Sequence, residues 1–275
     1  MNSPLRCPVC HSPLLQEERR LVCQNGHSFD LSKEGYVNLM LPNQGRHLDE
    51  GDSKESLQNR KAFLEKGYYS FLRERLLQIV SSLVREPFCF ADLGCGEGYY
   101  TSFLAQTFPS SSFFGMDISK AAVKMLSKRA KTIPNLFGVV GNLDYPPFLD
   151  GSIDISLNCF APICESEFRR IAKEGGYYIR VLPGVDHLME LKRALYETPR
   201  ANLPKSFEME GFSLLSKETI TKTATMGQED AIALFCMTPY VFKSGKESIE
   251  KLKTIPEMEM TLSFDIRVYQ AIFEK

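Results

Sequence analysis

Five short apolar segments alternate with helical segments between residues 88 and 182 of this 275-residue chain, and no other feature of the sequence restricts its fold as strongly. The pattern predicts strands at 88–93, 112–117, 136–140, 153–158 and 177–182, with helices at 99–107, 118–131 and around 165–173. Strands separated by helices form a parallel sheet, because the chain crosses over to begin each strand at the same edge. We therefore expect a doubly wound α/β fold, whose ligands bind at the carboxyl ends of the strands.

A glycine-rich turn follows the first of these strands. The segment Ala91-Asp92-Leu93-Gly94-Cys95-Gly96-Glu97-Gly98 has the pattern D-x-G-x-G-x-G. Its glycines allow the backbone to turn sharply and to approach a ligand where a Cβ would collide. The dinucleotide motif G-x-G-x-x-G needs its third glycine at position 99, which is Tyr99 here, so a dehydrogenase is disfavoured. The turn fits a nucleoside with a charged amino-acid tail better than a phosphate.

The second predicted strand ends in an acid, Asp117. A carboxylate at this point can accept hydrogen bonds from both hydroxyl groups of a ribose. The glycine pattern followed by this acid resembles the class I S-adenosylmethionine-dependent methyltransferases, over about residues 88–182. The resemblance implies a Rossmann-like fold and places the adenine ring beside Asn142. A turn built on Asn142 and Asp144 is an equally good interpretation of that segment.

The amino-terminal segment, residues 1–30, has no long apolar run but holds three of the eight cysteines. Cys7, Cys10, Cys23 and His27 form the pattern C-x2-C-x12-C-x3-H. A segment this small cannot bury enough apolar surface to fold unaided, and four donors at this spacing can surround a tetrahedral Zn²⁺. We therefore predict a small zinc-binding domain whose full ligand set makes the metal structural. His11 adjoins the first cysteine pair and would crowd it.

Charge and hydropathy limit the partners of the chain. Lysine and arginine total 33 against 34 acidic residues, so nucleic acid binding through bulk charge is excluded and local basic patches are required. The candidate patches contain Arg19, Arg20, Arg46, Lys54, Arg60 and Lys61. No apolar run reaches the roughly 18–20 residues of a membrane span, and the amino terminus shows no secretory pattern. A cytoplasmic protein without membrane contact is expected.

The fourth predicted strand leads into Asn158-Cys159-Phe160-Ala161-Pro162, which in this fold borders the acceptor of the methyl group. The segment lacks the Asn-Pro-Pro-Tyr pattern of exocyclic amino methylation and the Pro-Cys pair of cytosine C5 enzymes. Phe160 can either stack on a flipped base or belong to the core. The candidates for a general base are Asp144, Asn158 and Glu165, and the sequence selects none of them.

Several motifs together resemble one family, the bacterial 23S rRNA guanine-N1 methyltransferases. They are the zinc pattern, Lys33-Glu34-Gly35-Tyr36, the glycine turn, and His187-Leu188-Met189-Glu190-Leu191-Lys192, and the likeness runs nearly end to end. It implies a homodimer that binds a 23S rRNA hairpin between a zinc module and a methyltransferase domain. By position it implies zinc ligands at Cys7, Cys10, Cys23 and His27, and S-adenosylmethionine contacts at Tyr69, Gly96, Glu97 and His187. Glu174 stands where related enzymes commonly have proline. The segment of residues 158–162 resembles one branch of the family more than the branch with arginine before the aromatic-Ala-Pro sequence. The sequence therefore does not identify which guanine is methylated.

The expected organisation has three parts. Residues 1–35 form a zinc-binding RNA-recognition module, residues 36–86 a connector with helices, and residues 87–275 the methyltransferase domain. In the middle part, residues 59–86 have helical spacing that Gly67 interrupts, which predicts a break or two helices.

Two other functions are compatible with parts of the sequence. A methyltransferase of a small molecule or protein would keep the glycine turn but needs no amino-terminal RNA module. A non-catalytic zinc-dependent RNA-binding protein would not need Asp92, the three glycines and Asp117.

Overall fold

The computed structural model describes residues 3–45, 54–203, 206, 208–238 and 240–272, and for positions 43, 45, 54, 55 and 242–245 the backbone alone. The strands are β1 (Leu14–Glu17), β2 (Arg20–Cys23), β3 (Ser28–Asp30), β4 (Val37–Asn38), β5 (Cys89–Leu93), β6 (Ser112–Asp117), β7 (Leu136–Val140), β8 (Ile153–Cys159), β9 (Ala172–Pro183), β10 (Phe212–Gly227) and β11 (Glu257–Ala271). The α-helices are α1 (Lys54–Glu65), α2 (Ser70–Leu83), α3 (Tyr99–Thr107), α4 (Lys120–Ala130), α5 (Glu165–Ile171), α6 (Met189–Leu195), α7 (Gln228–Cys236) and α8 (Val241–Leu252), and a 3-10 turn covers Pro42–Gly45.

The main sheet has eight strands in the order β10-β11-β9-β8-β5-β6-β7-β4. The strands from β9 to β4 run parallel, whereas β11 and β10 are antiparallel to their neighbours. The strand order reverses between β5 and β8, which opens a crevice at their carboxyl ends. The predicted α/β class and doubly wound sheet are therefore confirmed.

The two faces of this sheet are covered differently. One face packs against helices that include α2, α3, α6 and α7, and its core contains Phe90, Phe113 and Ile179. The opposite face contacts α5 and the three-stranded zinc module β1-β2-β3, where Leu5 and Leu14 share a core with strand residues of the sheet. The amino-terminal segment thus gains the apolar contacts that it could not provide by itself.

Several predicted elements occur at the predicted residues, and others differ. The strands at 112–117 and 136–140 and the helix at 99–107 are found there, and Gly67, at φ +82°, separates α1 from α2. The segment predicted as a connector contributes β4, a two-residue strand beside β7. Gly175 and Gly176 lie in an irregularity inside β9, where the pairing with β8 shifts register. No described helix combines the length and apolarity needed to cross a membrane.

Candidate cofactor and metal sites

The four predicted metal ligands converge in the zinc module. The ligand atoms of Cys7, Cys10, Cys23 and His27 all lie within 4.8 Å of one another. The sulfur atoms of Cys10 and Cys23 are 3.6 Å apart, and Nδ1 of His27 lies 3.4 Å from the sulfur of Cys23 and 3.6 Å from that of Cys7. A tetrahedral zinc ion with bonds of about 2.3 Å to sulfur and about 2.1 Å to nitrogen needs donor separations of roughly 3.5–3.8 Å. The donor set therefore fits Zn²⁺ with no coordination position left open.

Two backbone turns hold these donors in place. The N–H of Cys7 donates to the carbonyl of Ser12 at 2.8 Å, which closes the first cysteine pair. Gly26, at φ +81°, turns the chain between the second pair, and the N–H of Cys23 donates to the carbonyl of His27 at 3.0 Å. His11 is not a member of the donor group.

The glycine turn after β5 has the backbone that its sequence requires. Gly94, Gly96 and Gly98 have φ values of +92°, +54° and +84°, a region that other residues rarely adopt. A Cβ on Gly94 would lie 2.5 Å from Cβ of Ala161, and one on Gly98 would lie 2.9 Å from Cγ of Leu126. Positions 94 and 98 therefore leave no room for a side chain.

Asp117, at the end of β6, is bound to this turn. Its Oδ2 accepts a hydrogen bond from the N–H of Gly96 and its Oδ1 accepts one from the N–H of Ser119, both at 2.8 Å. The carboxylate thus has a fixed orientation at the carboxyl edge of the sheet, beside the glycine turn.

Asp92 lies in the interior below the turn. The hydroxyl of Thr101 donates to its Oδ2, whereas Oδ1 is buried and has no hydrogen-bond partner in the structure. Burial raises the pKa of this carboxyl to about 7, because the hydrogen bond from Thr101 compensates only in part for lost hydration. An unpartnered buried oxygen at this position fits a cationic or hydrogen-bond-donating ligand.

Glu97 is also buried, and two arginines face it. Nη2 of Arg129 lies 2.9 Å from Oε2 of Glu97, and Nε of Arg129 donates to the Glu97 carbonyl at 3.2 Å. Burial raises the pKa of Glu97, while the charges of Arg129 and Arg60 act in the opposite direction. Arg129 of α4 and Arg60 of α1 thus place their positive charges near this buried acid beside the glycine turn.

Tyr69 and His187 are 118 positions apart in the sequence, but their rings lie 6.4 Å from each other and both pack against a third ring. Phe264 of β11 packs at 4.8 Å from the ring of Tyr69 and at 4.9 Å from that of His187. Nδ1 of His187 accepts a hydrogen bond from the N–H of Ser263 at 3.2 Å, so the proton of the neutral ring is on Nε2. Burial lowers the pKa of His187 to about 4. The imidazole is therefore neutral at physiological pH.

The residues considered for the acceptor side differ in their surroundings. Asn158 is fully buried, and its Nδ2 donates to the carbonyls of Leu93 and Pro162, at 3.1 and 3.0 Å. An amide in this arrangement fixes the ends of two strands and cannot act as a base. Phe160 is 43% exposed at φ +62° and packs at 5.6 Å from Phe264. Asn142 forms a turn, with its Oδ1 accepting from the N–H of Asp144 at 2.9 Å.

Known proteins resemble the chain in both of its modules. The family model of the RlmA amino-terminal zinc ribbon matches residues 5–47, and a methyltransferase domain model matches residues 90–176. The 23S rRNA (guanine(748)-N(1))-methyltransferase of Streptomyces fradiae is 36% identical over 194 residues, 70% of this chain and 67% of that protein. The chain belongs to the family of 23S rRNA (guanine-N1)-methyltransferases.

A second member of this family is similar over almost the whole chain. It is a provisionally named 23S rRNA (guanine-N(1)-)-methyltransferase of Bacillus subtilis, 28% identical over 279 residues, 97% of this chain and 96% of that protein. A Bacillus halodurans crystal structure assigned as a methyltransferase shares the fold, with a TM-score of 0.50 at 15% identity, over 73% of this chain and 99% of that one. This guanine-N1-methyltransferase family member is thus a class I enzyme with S-adenosylmethionine and structural zinc as its cofactors.

Three of the described basic residues that were predicted to contact RNA have partners within their own part of the chain. Arg19 donates to the carbonyl of Ser32 at 3.1 Å and Arg20 pairs with Glu17 at 3.0 Å, both on the exposed zinc module. Lys61 pairs with Glu65 at 3.7 Å. Arg46 lies outside the described residues, and the side chain of Lys54 does too.

Arg60 lies beside the glycine turn, a placement that the sequence did not reveal. Its Nη1 lies 3.4 Å from the point where a Cβ on Gly96 would be, and its charge acts on both Tyr69 and Glu97. Its contact with RNA stays a prediction, and the structure adds that α1 places the guanidinium beside the glycine turn. A basic residue in the polar first part of a helix gives no indication in the sequence of where its side chain points.

Proposed function

We propose that this protein transfers a methyl group from S-adenosylmethionine to N1 of a guanine in a 23S rRNA hairpin loop. One observation carries the proposal: a zinc ribbon is packed onto one face of the sheet whose carboxyl edge holds the glycine turn. Two relatives, one of which matches 97% of this chain, are named for guanine-N1 methylation of 23S rRNA. A methyltransferase of small molecules has no need for such a ribbon.

The cofactor contacts that we propose lie along the ends of β5, β6 and β7 and in the Tyr69–His187 pair. They are Tyr69, Asp92, Gly94, Gly96, Glu97, Gly98, Asp117, Asn142 and His187. Support comes from three features: the glycine turn, whose backbone a ligand can approach closely, the fixed carboxylate of Asp117, and the buried oxygen of Asp92 that has no hydrogen-bond partner. For zinc we propose Cys7, Cys10, Cys23 and His27, supported by their donor separations.

When bound, S-adenosylmethionine supplies a methyl group that its sulfonium has already activated. Guanine N1 loses its proton and forms the new N–C bond as the S–C bond breaks and its electron pair returns to sulfur, which gives 1-methylguanine, S-adenosylhomocysteine and one proton. The chain contributes mainly placement, an effect worth roughly 7–11 kcal/mol in well-oriented systems. Asn158 supports this placement, because its amide holds the end of β5 against the loop that carries Phe160.

The RNA must be held by local charge on a nearly neutral protein. We propose residues 1–35 as the RNA-recognition module, residues 36–86 as connector and helices, and residues 87–275 as the methyltransferase domain. A hairpin suits this arrangement, because splayed loop bases can stack on aromatic rings while a few basic residues hold phosphates. We further propose that the protein forms a homodimer, as the family resemblance implies. We also propose that it acts in the cytoplasm, where ribosomal RNA is found.

Methyl transfer from labelled S-adenosylmethionine to a transcript of the 23S rRNA hairpin tests this function. Digestion of the product to nucleosides should give label in 1-methylguanosine alone. Label in free metabolites with none in RNA would support the small-molecule alternative. Calorimetry without any S-adenosylmethionine binding would support a non-catalytic RNA-binding protein.

A further inference from the structure

One buried arginine side chain on β9 has no ion-pair or hydrogen-bond partner among the described residues. This residue, Arg180, is 6% exposed, and its Nε is buried without a hydrogen-bond partner. The neighbouring strand provides a contrast. Arg267, its partner across β11, is 1% exposed but pairs with Asp265 at 2.9 Å and donates to the carbonyl of Ser206 at 2.6 Å.

This unpaired charge lies beside the acceptor side of the site. Arg180 is the register partner of Asn158 on β8, so the two side chains are on the same face of the sheet. The amide of Asn158 in turn bonds the carbonyls of Leu93, just before the glycine turn, and Pro162. Two strand spacings of about 4.8 Å separate Arg180 from the end of β5. A long guanidinium side chain can therefore reach a group bound next to the glycine turn.

A second buried donor lies two residues earlier on the same strand face. The hydroxyl of Tyr178 has no hydrogen-bond partner in the structure, and the positive charge of Arg180 acts on it. Buried donors without partners, such as Nε of Arg180 and the hydroxyl of Tyr178, are costly, because the protein returns little of the hydration that is lost. The observations are explained if a ligand with negative charge or strong acceptor oxygens completes this site.

We propose that Arg180 is a catalytic residue that donates hydrogen bonds to O6 of the target guanine. The inference rests on the proposed function. As N1 loses its proton to water, negative charge spreads onto O6, and a fixed cation there stabilises the anion. N1 then forms the bond to the methyl carbon, the S–C electron pair returns to sulfur, and Arg180 donates hydrogen bonds without giving up a proton to the base.

The test compares Arg180→Gln, Arg180→Lys and Arg180→Met with wild type in single-turnover methyl transfer across pH. We expect the rate of Arg180→Gln at neutral pH to fall about 100-fold, the loss typical of removing one such donor. The apparent pKa of its pH–rate profile should rise by about one unit or more, because N1 then ionises without the nearby cation. Arg180→Lys keeps the charge and should recover part of both effects. The affinity for RNA should change little.

Thermal unfolding separates this role from a structural one. Arg180→Met should unfold at the same temperature as wild type or higher, because it breaks no ion pair and removes a buried Nε–H that has no partner. The matched variant Arg267→Met should unfold at a lower temperature, because it removes the close ion pair with Asp265 and the hydrogen bond to the carbonyl of Ser206. Equal destabilisation by both changes would overturn the proposal and make Arg180 structural.

Two other results would also overturn it. If Arg180→Gln lowers RNA affinity and its salt dependence while the rate at saturation stays normal, the residue binds a phosphate. If the rate and pH profile of Arg180→Gln match wild type, the residue does not touch the guanine. In both cases wild-type formation of 1-methylguanosine would leave the proposed function intact, whereas its absence in wild type would be a failure of that function.

Discussion

The backbone N–H of Gly96 donates to Oδ2 of Asp117 at 2.8 Å, and this bond joins the glycine turn after β5 to the acid that ends β6. The N–H of Ser119 fixes the other carboxylate oxygen at the same distance. The position of Asp117 is therefore set by backbone groups of two neighbouring strand ends. A ribose that enters this crevice meets a carboxylate that is already oriented, so little ordering entropy is lost on binding.

Replacing Asp117 should weaken cofactor binding. Asp117→Ala removes the acceptor for ribose and releases Gly96, and each hydrogen bond to a charged group contributes roughly 1.5–3 kcal/mol. We expect calorimetry with S-adenosylhomocysteine to show an affinity about 10- to 100-fold lower. The control is Asp186→Ala, which changes an exposed acid after β9 and should bind S-adenosylhomocysteine with wild-type affinity. Equal affinities in both variants would remove Asp117 from the site.

Gly94→Ala should destabilise the protein through backbone strain and a steric clash. The position combines φ +92° with a Cβ 2.5 Å from that of Ala161, and we expect the free energy of unfolding to fall by roughly 2–5 kcal/mol. Gly35→Ala isolates the strain, because φ is +97° there and nothing lies within 4 Å of the added Cβ. It should lose only about 1–2 kcal/mol by denaturant titration.

The double variant Gly94→Ala, Ala161→Gly tests the steric part of that loss. Removing the opposing Cβ should restore stability to the level of the strain alone. A double variant no more stable than Gly94→Ala would show that the contact with Ala161 does not limit this turn.

Removing zinc should unfold the amino-terminal module and expose the sheet face beneath it. Cys10→Ser removes one of four ligands, and structural zinc contributes roughly 10–16 kcal/mol to the folding of small modules. We expect loss of the single zinc atom by elemental analysis, together with increased proteolysis before residue 36. His11→Ala should keep one zinc per chain, because this histidine lies outside the donor group. Zinc loss in His11→Ala would show that the ligand assignment is wrong.

Acid should destabilise the protein through His187. Its pKa is about 4 in the folded protein and 6.5 ordinarily, so between these values the unfolded chain binds more protons. The free energy of unfolding therefore falls as pH drops from about 6.5 to about 4, by about 3 kcal/mol from this residue. Denaturant titrations at several pH values should show that His187→Gln lacks this contribution. Parallel pH curves for the two proteins would contradict it.

Local sequence patterns predicted the parts of the structure that depend on near neighbours. The turn at Gly94, Gly96 and Gly98 needs only its own residues and adjacent strands, and the zinc module depends on ligand spacing over twenty residues. The alternation of apolar and helical segments likewise predicted the parallel strands, because the periodicity reflects burial on both faces.

Local sequence patterns could not predict contacts between segments that are distant in the sequence. Arg60 was predicted as a basic surface residue, because only the packing of α1 against the glycine turn determines where its side chain points. Tyr69 and His187 came from family resemblance, and their meeting around Phe264 depends on β11, far along the chain. The strand β4 has two residues, too few for a periodicity, and forms because the sheet edge at β7 offers unpaired backbone groups.

Mapping of modified nucleosides along 23S rRNA from a strain that lacks this protein tests the central claim most directly. One guanine should be unmodified in that strain and should carry an N1-methyl group after treatment with purified protein and S-adenosylmethionine. An identical modification map with and without the protein, or a methyl group appearing on any other base or atom, would contradict the account.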